Sequence, residues 1–391
     1  MRNRIRRLRR DERGMTFVFV GLGFMAFMTA STLAIDVGMF MTAKSQAQNA
    51  ADAGALAGAI AIAFNDFDDR SPTGPAVSSA IAAAQANLMM GQAPSVLPSD
   101  VTFPNDPLGQ PTRVAVSAYR TVARENPIPT LIGPIFGVPT VDIGASATAE
   151  ASQANAMTCV KPFMIPDRWR EPNGGAFDPY TSTFRMYDNQ NNLLPLSQRD
   201  VYVPVDQEGY TGYTPADKGT ELILRSGSGN NIEPTMYQSW KMPGNEIGGD
   251  FYSDNISGCN TSIITFSPSQ PTYLTQEPGN MMGPTNQGID DLILKDPAAH
   301  WDTSCNCVKG SNFGISPRIT PLPLYDPVYY AEGKANGRNA DFKLANIMGF
   351  FIDRREGNQV YGHITPISGI LNPNAGPAPI GAFPVAIRLV Q

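Results

Sequence analysis

The first feature of the chain is a run of 22 residues, Gly14 to Ile35, without a single charge. At 1.5 Å rise per residue such a run spans the roughly 30 Å hydrocarbon core of a bilayer, so it predicts a membrane-crossing helix. The helical pattern continues past the apolar boundary. Residues 36–64 contain no proline and are rich in alanine, the best helix former, which predicts one continuous helix of about fifty residues. Small residues recur along it at every fourth position, first as Ala26, Ala30, Ala34 and Gly38, then as Ala50, Gly54 and Gly58, with a parallel series Ala47, Ala51, Ala55, Ala59 and Ala63. Within a bilayer this spacing lets helix backbones approach closely, so the first series is the expected helix-packing face. The later series fits an alanine-rich helix leaning on its own domain.

The acidic, turn-rich stretch 65–75 ends this helix, and AVSSAIAAAQANLMM (76–90) predicts a second one. Beyond it the period changes from helical to two. RVAVSAYRTV (113–122) places Val114, Val116 and Ala118 on one face, and TVDIGASATAEA (140–151) places Val141, Ile143, Ala145 and Ala147 on one face, as half-buried strands do. The apolar segment between them, IPTLIGPIFGV, is expected to form a short buried helix or turn. From about residue 157 alanine falls while proline, glycine, asparagine and aromatics rise, and all three tryptophans (Trp169, Trp240, Trp301) appear. The short runs ELILRS, SIITF, IMGFFID, VYGHI and FPVAIRLV predict a mostly β core with long loops, and GPTNQGIDDLILKD predicts a helix. The expected fold class is therefore α+β: a basic head (1–13), a span (14–35), a helix-plus-sheet, pilin-like unit (36–152) and a mostly β domain (157–391).

Charge gives the span a direction. Residues 1–13 carry seven arginines and two acids, and beyond them the balance is 22 Lys+Arg against 33 Asp+Glu. The cationic flank is expected to stay cytoplasmic, with everything beyond about residue 36 exported through a single-pass inner membrane topology. A cleaved signal peptide would be shorter than this run and would not continue as a helix, so retention is the favoured reading. The acidic body repels phosphate backbones, so no nucleic-acid partner is expected.

Cys159, Cys259, Cys305 and Cys307 all lie in the exported part, where an oxidising compartment favours two disulfides. A bridge between Cys305 and Cys307 would close a very tight ring, which favours each of them joining Cys159 or Cys259. The competing reading, a zinc site from His300, Cys305 and Cys307, fits no standard ligand spacing. Other chemistry is thin. GLG at 21–23 lies inside the span, no G-x-S-x-G occurs, and His300 and His363 lack motif context. Asp290 with Asp291, and Asp68 with Asp69, read as solvated acids; Asp188, Gln190 and Asn192 alternate as in a calcium loop but lack its later Gly and Glu. No enzyme activity and no cofactor are expected.

The stretch DERGMTFVFVGLGFMAFMTASTLAIDVGMFMTAKSQAQNAADAGALAGA, with RG before the span, an A-I-D-V-G exit and the QNAADAGALAGA run, resembles the Flp pilus-assembly (Tad, tight adherence) TadG-like proteins. SATAEA, CVKPFMIPDRW, GNMMGPTNQG and DPAAHWD resemble the same group more weakly. The resemblance implies a bitopic protein of a type IV-like pilus system, a minor pilin-like, tip or assembly component, with other pilus-machinery membrane proteins and membrane lipid as partners. The alternative is an exported surface-binding or adhesive module that uses the helix only as an anchor. Two features depart from relatives. The nearest match to a von Willebrand A metal motif, Asp69, Ser71 and Thr73, sits in a proline turn and reads as surface loop, and the fifth position after Gly14, where prepilins carry Glu, is Phe19.

Overall fold

A computed structural model of the chain describes residues 13–64, 69–107, 109–227, 231–244, 246, 248–279, 281–335 and 341–390. The basic head, apart from Arg13, and Asp68 lie outside the described residues. The chain divides into two compact units, one formed by Met1–Ala151 with Ile387–Gln391, the other by Ser152–Ala386.

The first unit is built on α1 (Arg13–Phe64), a single 52-residue helix. A second helix, α2 (Pro75–Ala86), starts on a proline at its first turn, where no amide hydrogen is needed, and packs antiparallel to the C-terminal half of α1. It stops four residues earlier than the pattern predicts: Asn87 leaves the helical region and its side chain caps the carbonyl of Ala83 at 2.8 Å, and Met90 adopts a positive φ. Strand β1 (Val101–Thr102) pairs with β2 (Arg113–Arg120), and β2 pairs antiparallel with β5 (Ile143–Gln153) through eight residues in register, Arg113 opposite Glu150 to Arg120 opposite Ile143. Between β2 and β5 the chain makes a small hairpin, β3 (Ile128–Pro129) with β4 (Thr140–Val141). The alternation expected of β2 is observed, with Val114, Val116, Ala118 and Arg120 buried and their neighbours partly exposed.

The residues that join helix to sheet are small. A Cβ built on Gly54 would meet the carbonyl of Ala80, the Cβ of Ala84 and a methyl of Val116, each at 3.0 Å, and one on Gly58 would lie 2.7 Å from a methyl of Val114. Ala47, Ala51, Ala55 and Ala59 are fully buried alongside. Replacing Gly58 with Leu is therefore expected to destabilise this unit by about 2 kcal/mol through overpacking, whereas Gly38→Leu, whose added Cβ has nothing within 4 Å, should be close to neutral. Denaturant titration of both full-length variants checks the contrast; equal stability would mean that α1 is not seated on α2 and β2.

The second unit is mostly β. Its strands are β6 (Ala156–Met157), β7 (Phe163–Pro166), β8 (Glu221–Ser226), β9 (Met236–Ser239), β10 (Ile264–Thr265), β11 (Tyr273–Thr275), β12 (His300–Asp302), β13 (Cys307–Lys309), β14 (Ile319–Tyr325), β15 (Asp341–Glu356) and β16 (Gln359–Thr365). Seven form one sheet in the order β11-β15-β14-β7-β9-β8-β16. The 16-residue β15 pairs with β14 and, through a register shift between Ile352 and Arg354, also with β16, so six strands close into a barrel. Residues of alternating parity, Phe163 and Ile165, Leu222 and Leu224, Leu322 and Leu324, Met348, Phe350 and Ile352, share one apolar cluster with Tyr252 and Ile256 of α3 (Gly249–Ser257) and Ile289 and Leu292 of α4 (Met282–Lys295). A last helix, α5 (Pro327–Ala335), contributes Tyr330 to a second cluster around Trp169, Trp240, Tyr325 and Phe342.

The C-terminal strand β17 (Val385–Val390) departs from expectation. FPVAIRLV reads as part of the mostly β domain, but β17 extends the sheet of the first unit beside β5, where Arg388 bonds Glu150 at 3.2 Å. Alternation marks FPVAIRLV as a strand without saying which edge it will join.

Candidate membrane and assembly surface

The two halves of α1 have opposite fates, and the residue types decide them. From Met15 to Ala30 every described side chain is exposed, including Phe17 at 82%, Phe24 and Phe27. This is an uncovered apolar cylinder, and the helix is long and apolar enough to cross a membrane. Ala26, Ala30, Ala34 and Gly38 all lie on exposed positions, whereas the later alanines and glycines are consumed by packing within the first unit. The two small-residue series thus separate into a free face and an occupied one.

The change of environment falls at Asp36. It is 4% exposed, and its two carboxylate oxygens accept the amide hydrogens of Leu131 at 2.8 Å and Ile132 at 3.0 Å. Above it the Lys44 ammonium donates to the carbonyl of Gly144, and Gln48 donates to the carbonyl of Ser146 at 3.3 Å. In the sequence Asp36 is simply the first charge beyond the apolar run; its partners lie 95 and 96 residues further on, at a range that periodicity does not reach. The segment between the strands also differs from expectation. Residues Gly133–Phe136 do form a short 3-10 helix, and Ile128 is buried, but Leu131, Ile135 and Val138 are exposed. An apolar run reads as buried when protein is the assumed cover, and here Leu131, Ile135 and Val138 stay exposed among the described residues.

In the second unit the cysteines pair as Cys159–Cys259 and Cys305–Cys307. The second pairing corrects the expectation that each of the close cysteines joins a distant one. Cys305 and Cys307 sit at the turn of the β12–β13 hairpin, and Asn306 between them takes a left-handed φ of 46°, which brings the flanking side chains together with Cα atoms 5.2 Å apart. Asn tolerates that conformation better than most residues. With both sulfurs bonded to each other, Cys305 and Cys307 are not thiolate ligands, and the Nδ1 of His300 lies 3.0 Å from the carbonyl oxygen of Ala298. His363 stacks on Trp301 with ring centroids 4.8 Å apart.

The other acids are also engaged. Asp188 accepts the amide hydrogens of Gln190 and Asn192, both at 2.8 Å, as a turn-forming side chain does, and Asp290 accepts two hydrogen bonds from Arg355 at 2.7 and 2.6 Å. Asp69 accepts the amide hydrogen of Ser71 at 2.9 Å in the surface turn where the von Willebrand-like residues fall. Among the described residues no group of three or more His, Cys, Asp or Glu is placed to hold a metal ion.

One fully buried acid is a residue that sequence patterns did not single out. Asp167, at the end of β7, is fully buried and accepts the amide hydrogens of Arg168 at 2.9 Å and Tyr213 at 3.0 Å and the hydroxyls of Tyr202 at 3.1 Å and Tyr210 at 2.9 Å. Burial pushes its carboxyl up to about 6 against these bonds. Three of the four donors come from residues 35 to 46 positions away, so Asp167 ties the long connection between β7 and β8 to the barrel. A cavity of about 200 Å³, lined in part by Tyr202, Val205, Phe266 and Lys343, lies in the same unit. It is smaller than the roughly 300–1,000 Å³ of ordinary ligand pockets.

Residues 14–61 match a family of putative Flp pilus-assembly TadE/G-like proteins. No curated protein and no solved structure matches the chain.

Proposed function

We propose that this chain is a single-pass, membrane-anchored component of an Flp (Tad) pilus assembly system, a minor pilin-like, tip or assembly protein rather than an enzyme. The observation that carries the reading is where the family match falls. Residues 14–61 cover both the uncovered apolar half of α1 and the half seated on α2 and β2. A helix that projects bare from a small helix-plus-sheet unit is suited to insertion into lipid at one end and presentation of a folded body at the other. The arginine-rich flank and the acidic body support a cytoplasmic N-terminus with the bulk outside the inner membrane. The perturbed acid Asp167 and the two disulfides serve as fold anchors in this reading.

The exposed face of Ala26, Ala30, Ala34 and Gly38 is the proposed contact for another membrane helix of the pilus machinery, because small side chains permit close backbone approach. Replacing Ala30 and Ala34 with Leu should leave insertion intact and weaken association by about 1–2 kcal/mol, giving partial rather than complete loss of co-purifying membrane partners. Cross-linking mass spectrometry of intact cells, comparing the double variant with the parent chain, measures this. Unchanged cross-links would reduce the helix to an anchor and move recognition to the exported units.

A further inference from the structure

The connection between β2 and β5 contains a long apolar, exposed stretch. From Pro127 to Val141 it carries no charge, yet Leu131 is 60% exposed, Ile135 80% and Val138 47%. In water such a patch costs free energy, and its position in the unit indicates what relieves that cost.

Position along α1 follows from the contacts. Asp36, the first charged residue after the apolar run, receives the amides of Leu131 and Ile132. Lys44 meets Gly144 and Gln48 meets Ser146, about two and three turns further on. Gly54 and Gly58 then lie against Val116 and Val114. β2 therefore runs toward the span and β5 away from it, and the 121–142 connection sits at the end of the unit where α1 becomes bare.

Many of the backbone amides of this connection are paired within the protein. Pro127, Pro129, Pro134 and Pro139 have no amide hydrogen to satisfy. Thr130 donates its amide hydrogen to Pro139, Ile135 to Ile132, Gly137 to Pro134 and Val138 to Gly133, at 2.8–3.2 Å, and the Thr130 hydroxyl donates to the carbonyl of Val138 at 2.7 Å. Leu131 and Ile132 use the Asp36 carboxylate. Arg120 fixes the base, donating to the carbonyls of Asn126 at 3.1 Å and Pro127 at 3.0 Å. Internal pairing of backbone amides is what a segment needs where water is scarce, and an ordinary solvated loop has no such requirement.

We propose that residues 128–141 form an interfacial insertion, with Leu131, Ile135 and Val138 seated in the headgroup–acyl boundary of the leaflet from which α1 emerges. The partner is the lipid surface itself. The loop and the span then hold the first unit at two points, which fixes its tilt as well as its depth. This rests on α1 crossing the bilayer, and the test separates the two claims.

All four cysteines are in disulfides, so an added cysteine is the single site for a thiol-reactive, environment-sensitive fluorophore. The full chain would be labelled at Ile135→Cys, at Phe24→Cys within the span and at Thr73→Cys on the exposed far turn, then reconstituted in phosphatidylglycerol-containing vesicles with spin-labelled lipids. The Phe24 probe should be quenched by deep labels, the Thr73 probe by none, and the Ile135 probe by shallow labels more than deep ones, at about 5–10 Å below the headgroups. An Ile135 probe as unquenched as that at Thr73, while Phe24 is quenched, overturns the insertion and leaves the anchor standing. A blue-shifted but unquenched Ile135 probe overturns it too, since protein rather than lipid would then cover the loop. An unquenched Phe24 overturns the anchor and the insertion together. Val138→Cys repeats the measurement should Ile135→Cys fail to fold.

Discussion

Replacing Cys159 and Cys259 with serine is expected to cost the second unit about 4–5 kcal/mol, whereas the same change at Cys305 and Cys307 should cost under about 2 kcal/mol. The difference comes from the unfolded chain. Cys159 and Cys259 are 100 residues apart and Cys305 and Cys307 only two, so the first bridge removes far more conformational freedom from the unfolded ensemble. Direct loss of burial adds little, since Cys259 and Cys305 are exposed. The first loop also encloses β7, β8, β9 and α3, and its closure is reinforced locally by the amide hydrogen of Cys159 donating to Asn260 at 2.8 Å and by the buried ammonium of Lys161 donating to the carbonyls of Ile256 and Gly258 at 2.7 and 2.8 Å. Guanidinium titration of the oxidised full chain in detergent, wild type against each double variant, gives the two numbers. Equal losses would mean that the bridges do not act through loop closure, and free thiols in the unreduced parent would mean that the pairing itself is wrong.

How much of this fold was visible beforehand depends on the range of the interactions that make it. The long helix follows from a charge-free run and an alanine-rich continuation, both local properties, and β2 follows from strict alternation of Val114, Val116 and Ala118. The burial of Gly54 and Gly58 was also accessible, because small residues at fourth positions announce close packing. The segment 128–138 reads as buried because IPTLIGPIFGV is apolar, but Leu131, Ile135 and Val138 are exposed, and hydropathy does not say what covers an apolar run. The close cysteine pair was missed because one left-handed residue, Asn306, reverses the argument from spacing. The edge chosen by β17 and the partners of Asp36 and Asp167 depend on tertiary contacts that cross many residues, and a lone acid carries no mark of them.

Asp167 should make the stability of the second unit depend on pH in the opposite sense from the surface acids. Its carboxyl is raised from 3.8 to about 6 by burial, so the folded state binds the proton more tightly than the unfolded one. The stabilisation is fully present below pH 3.8 and is lost as pH rises through about 6, a swing of about 3 kcal/mol for this fully buried group. Asp200, which burial likewise raises to about 7 beside Glu171, adds to the same slope. Asp178, Asp188 and Asp302 run the other way, since hydrogen bonds hold them below the usual range and their contribution disappears as pH falls below 3.8. Burial lowers His363, whose contribution also rises with pH as it titrates, so the bare profile mixes signs. Asp167→Asn isolates the term. The amide cannot ionise, its oxygen can accept the amide hydrogens of Arg168 and Tyr213, and the hydroxyls of Tyr202 and Tyr210 can turn to accept from its nitrogen. Relative to this variant, the wild-type chain should lose about 2 kcal/mol of unfolding free energy between pH 4 and pH 7, most of the full swing. Denaturant midpoints of the two proteins across that range test it, and parallel curves would show that Asp167 has an ordinary carboxyl. Such curves would leave its four donors to hold the β7–β8 connection as hydrogen bonds alone.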